Sequence, residues 1–104
     1  MGRRDHHELE SRLTVLLSHL LKWQTQPEHR SKSWSGTIRE QRRQIGRRLR
    51  DSPGLRPVLD DLLAKIYADG RKRAAGETGI PEADFPLNCP FTSDDVLSGS
   101  FLPD

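Results

Sequence analysis

Six leucines between residues 9 and 21 constrain this chain more than any other feature. Leu9, Leu13, Leu16, Leu17, Leu20 and Leu21 recur at spacings of three and four, the period that gathers side chains on one face of an α-helix. Glu10, Arg12 and His19 interrupt the stretch, so it is neither a membrane span nor the core of a signal peptide. The spacing predicts a helix over residues 5–25, ended by Pro27. At one turn per 3.6 residues the stripe covers about 160° of the helix surface, wider than one neighbouring helix conceals. Part of it is therefore expected to meet a second chain, with Leu9, Leu13, Leu17, Leu21 and Trp23 as the association face.

The rest of the chain supplies fewer apolar anchors. Only 33% of its 104 residues are hydrophobic, which allows one domain, residues 1–104, with a thin core. A second helix is expected over 31–50. Trp34, Ile38, Ile45 and Leu49 form a stripe about 60° wide on it, with Gln41 in line, as suits an outer helix. A third helix is expected over 53–76, built on Leu55, Leu59, Leu62, Leu63 and Ile66 and flanked by Tyr67. Gly70 within it implies a kink or a close helix approach, and Gly79 is placed to cap its end in the left-handed conformation.

From Ile80 onward Pro81, Pro86, Pro90 and Pro103 forbid a long helix. Residues 80–104 read as an extended tail anchored by Phe85, Phe91, Val96, Leu97, Phe101 and Leu102. Thr92 and Asp95 are spaced to cap one short helix from both ends of a reciprocal hydrogen-bond pair. The expected architecture is all-α: a small antiparallel bundle of three main helices, closed by a Pro/Phe-rich C-terminal tail with one short helix.

Charge is distributed unevenly. Residues 28–50 hold eight Lys and Arg against Glu28 and Glu40, whereas residues 51–104 hold ten acids against five bases, although the net charge is only +2. Arg39, Arg43, Arg47 and Arg50 project within about 80° of one another on the second helix. Such a face neutralises phosphates without sequence preference. Its alternative is an ordinary solvated surface, balanced by Glu40 and the acidic second half.

The stretch "HLLKWQ", residues 19–24, has two readings. His19 and Trp23 lie one turn apart, as a ligand pocket would require. The alternative, which the pattern favours, makes Leu20 core and Trp23 the rim, with Lys22 pointing outward. No catalytic, cofactor-binding or metal-binding residue is assigned. His6 and His7 are adjacent and diverge on a helix, Cys89 has no second thiol at metal-binding spacing, and Asp60 and Asp61 diverge likewise. No nucleophile elbow or phosphate-cradling glycine loop is present. A lone cysteine fits a reducing cytoplasm.

Set side by side, "HLLKWQ" with the following Pro27, "SW" followed by "TIREQR", and the "FP…CPF" tail with its final "FLP" resemble the bacterial family catalogued as domain of unknown function 29. The resemblance runs over nearly the whole chain from Gly2. It implies an all-helical fold and a cytoplasmic bacterial protein, and it supplies no mechanism. It also implies that the chain starts midway along a long helix and lacks about one helical hairpin of the family's usual N-terminal segment. The functional expectation is association with a second copy or another protein rather than catalysis, with no membrane partner. Nucleic-acid binding through the arginine face is the alternative.

Overall fold

The structure, a computed structural model, describes residues 3–104, with side chains from His6 onward. Its long helices are α1 (Arg3–Thr25), α2 (Lys32–Asp51) and α3 (Leu59–Thr78), followed by the short α4 (Ser93–Leu97), with no strand among the described residues. This is the expected all-α bundle with its tail.

Each helix end has a local cause. Pro27 opens a 3₁₀ turn and disfavours helical backbone at Gln26, so α1 stops at Thr25. The Ser31 hydroxyl accepts from the Trp34 N–H at 3.1 Å and starts α2. The third helix begins later than the expected residue 53, because residues 53–58 form 3₁₀ turns instead. Pro57 has no N–H to donate within an α-helix, and its ring collides with the carbonyl four residues back. At its far end α3 closes on Gly79, whose φ of 78° is left-handed and whose N–H reaches Ala75 O at 2.9 Å.

Side-chain pairs set the directions. Going up α1, Glu8 meets Arg48, Arg12 meets Gln41, and Lys22 meets Trp34, so α2 runs antiparallel to α1. Glu10 with Lys65 and Lys22 with Glu77 make α3 parallel to α1, an up-down-up order. Gly70 marks the closest approach of α3 to α1. A Cβ there would stand 3.1 Å from the Leu17 Cβ and 3.4 Å from the Thr14 carbonyl oxygen, and α3 continues through it.

α1 is the shared wall of the core, packed on α2 and on α3. Leu9, Leu13, Leu16, Leu17, Leu20 and Leu21 are all at 0% exposure within this one chain. Their wide stripe has two neighbours from the same chain rather than one neighbour plus a second copy. The expected association face is thus corrected: Leu9, Leu13, Leu17 and Leu21 are interior, and Trp23 is half-buried at the edge.

The tail seals the bundle. Phe85, Phe91 and Val96 are buried, and the Phe101 ring meets Phe91 edge-on, with centroids 6.0 Å apart. Thr92 and Asp95 form the anticipated reciprocal cap of α4. Tyr67 donates its hydroxyl to Pro86 O at 2.6 Å, fixing the tail to α3. Leu102 departs from its expected anchoring role and stands exposed.

Candidate functional site: an arginine trough between α2 and the tail

The "HLLKWQ" corner packs into the bundle through internal contacts. Lys22, expected to point outward, is only 6% exposed. Its Nζ donates to Glu77 Oε1 at 2.8 Å and sits 5.1 Å from the Trp34 ring centroid. Burial works to raise the Glu77 pKa, but the Lys22 hydrogen bond, with the charges of Lys22 and Arg73, holds it below the ordinary carboxylate value. His19 donates Nδ1–H to Val15 O at 2.9 Å, and burial lowers its pKa. Trp23 carries the Arg30 guanidinium 5.0 Å from its ring centroid, while Arg30 also donates to Trp23 O and Pro103 O, tying the end of α1 to the end of the tail. Lys22, His19 Nδ1 and Arg30 thus each have a partner within the chain.

Cys89 is half-buried, donates weakly to Phe91 O, and has its thiol pKa pushed up by burial. Among the described residues no group of three His, Cys, Asp or Glu side chains is arranged to hold a metal ion.

The arginines lie elsewhere. α4 and the tail after it pass along α2, leaving a cavity of about 380 Å³ lined by Arg39, Arg42, Arg43, Gly46, Arg50, Leu97 and Gly99. A smaller cavity of about 90 Å³ shares Arg39, Arg42 and Gly99 with it and continues to Ser35, Ile38, Ser100 and Leu102. Together they form one trough. Gly46 leaves its floor open, and a Cβ there would meet only the Arg50 Nη1 at 3.5 Å.

The expected arginine face is therefore regrouped. Arg39, Arg43 and Arg50 line the trough, Arg47 does not, and Arg42 joins them. Arg43 is committed to Glu40 through two hydrogen bonds of 3.1 and 2.9 Å. That pairing, with help from Gln44, draws the Glu40 pKa down to about 2 and raises that of Arg43. Both side chains are open to solvent, so the pair orders the surface more than it stabilises the fold.

Arg42 is different. It is 9% exposed, and its guanidinium donates to Val96 O at 2.9 Å and Asp95 O at 3.1 Å. These carbonyls belong to the short α4, so the cation fastens that helix to α2 and faces its C-terminal turn. Among the described residues no carboxylate comes within ion-pair distance of Arg42, Arg39 or Arg50. Burial accordingly pushes the Arg42 pKa down. Sequence reasoning missed Arg42 because the helical arithmetic puts it at the border of the apolar stripe, four residues after Ile38 and three before Ile45. That border position was itself the available signal.

The bundle and its trough define the class: a small all-α protein with a cationic cleft beside a capping tail. The family is Domain of unknown function DUF29, whose model matches residues 1–102, and the chain belongs to it. No curated protein and no solved structure matches the chain. Among the described residues no helix is long and apolar enough to cross a membrane.

Proposed function

We propose that this protein works by association rather than catalysis, and that its working surface is the trough between α2 and the tail, which takes an anionic group of another molecule. One observation carries this reading. Arg42 is a nearly buried cation held only by neutral carbonyls, at the junction of two cavities that Arg39 also lines. Buried charges are ordinarily paired, and an anion in the trough supplies the missing pair. The association expected of the leucine stripe moves to this surface, because the stripe is consumed by the chain's own core. The lone, half-buried Cys89 supports a reducing compartment, the cytoplasm, as the place of work.

The test is salt elution from a heparin column, comparing two double variants of equal charge change. Arg39→Glu with Arg50→Glu alters the trough, whereas Arg47→Glu with Arg56→Glu alters exposed arginines outside it. Elution of the trough variant at distinctly lower salt than the control supports the reading. Equal elution of the two variants overturns it, because binding would then follow net charge alone.

A further inference from the structure

We infer that the occupant of the trough is an extended segment of a partner protein, bearing two carboxylates with aliphatic side chains next to them. This rests on the reading of the trough as an anion site and names its ligand. The first argument is shape. The lining of the two joined cavities runs from Ser35 to Arg50 along α2, a rise of about 22 Å, which is the length of roughly six or seven extended residues. A linear chain fits such a trough, and a compact metabolite leaves most of it empty.

Charge supplies the second argument. With Arg43 engaged by Glu40, the exposed guanidinium groups on the larger cavity are Arg39 and Arg50, and the Arg50 Nη1 reaches back over Gly46. Arg42 stands between them with its Nη1 unpartnered among the described residues, placed to donate to a main-chain or side-chain oxygen of the bound segment.

The chemistry of the walls separates peptide from nucleic acid. Leu97 and the exposed Leu102 line the tail side, Ile38 lines the helix side, and no aromatic ring is among the lining residues. Single-stranded nucleic acid is held by stacking its bases on aromatic side chains, which this trough lacks. Apolar walls beside the cations suit a segment with aliphatic residues next to acids. Ser35 and Ser100 add hydroxyls for its backbone.

The experiment is selection of a displayed random heptapeptide library on the full chain. Fluorescence anisotropy of the selected peptides and of a single-stranded oligonucleotide of matching charge follows, on the same protein and on its variants. The expected consensus carries two acids next to aliphatic residues. Its affinity falls about tenfold or more in Arg39→Glu and in Arg50→Glu and is little changed in Arg47→Glu. An oligonucleotide that binds more tightly than every selected peptide, with the same dependence on Arg39 and Arg50, overturns the peptide and leaves the anion site standing. Selection that yields no acidic consensus also overturns the peptide. Peptide binding indifferent to both trough arginines overturns the site itself.

Discussion

Arg42 Nε donates to Val96 O at 2.9 Å, so a guanidinium on α2 holds the last turn of α4 in place. The same side chain is the hinge between fold and site, since it anchors the tail and charges the trough. Replacing it with methionine keeps the apolar stem and removes both hydrogen bonds. The expected cost is about 1–3 kcal/mol in urea denaturation, because Val96 O and Asp95 O lose their donor. Arg42→Lys recovers only part of this, since one ammonium lacks the planar fork that serves both carbonyls.

Two glycines of α3 respond oppositely to alanine. At Gly70 the added methyl meets the fully buried Leu17 and the main chain at Thr14, neither of which has room to retreat. Gly70→Ala is expected to destabilise by about 1 kcal/mol or more despite its better helix propensity. At Gly76 nothing lies within 4 Å of the new Cβ, and Gly76→Ala is expected to stabilise by about 0.5–1 kcal/mol. Equal shifts of the two thermal midpoints would contradict the close approach of α1 and α3.

Breaking the Lys22–Glu77 pair from one side leaves an ammonium in a nearly closed site. Glu77→Ala is expected to cost about 1–3 kcal/mol, moderated because Glu77 is itself half-exposed. Lys22→Met should cost far less, and adding Glu77→Ala to it should have little further effect. A double-mutant cycle by chemical denaturation measures the coupling.

His19 gives a pH dependence of definite sign. Burial lowers its folded pKa below the ordinary 6.5, so below that pH the unfolded chain binds the proton more readily than the folded one. This contribution to stability is full above the unfolded pKa and is lost as pH falls from there toward the folded pKa. His19→Gln, which removes the titration, should flatten the stability profile in that window.

Leu17 and Leu21 serve the fold of a single chain. Both have no exposed surface, and substituting either by alanine is expected to cost about 2–5 kcal/mol. Glutamate at both positions should abolish the far-ultraviolet helix signal. Dissociation of an oligomer with helices intact would instead restore the leucines to an interface.

The outcome at α1 shows how far periodicity reaches. Its spacing determined that six leucines share a face and that the face is wide, and both hold in the structure. Width alone does not say whose atoms cover it. That depended on α2 returning antiparallel and α3 rising parallel, an arrangement settled by packing between residues some thirty to sixty positions apart. Lys22 shows the same limit, because only the approach of Glu77 and Trp34 makes burying an ammonium tolerable.

By itself the sequence determined what local physics controls: helix identity and spacing, the stops at Pro27 and Gly79, the cap at Thr92, and the proline-broken tail that cannot continue as a helix. Tertiary structure decided which arginines share a site. Arg47 lies within the helical arc expected of the group, yet the tail passes beside Arg39, Arg42, Gly46 and Arg50 and not beside Arg47. A helical wheel records angle about one axis, whereas a cleft needs a second wall, and that wall comes from residues some fifty positions away in the chain.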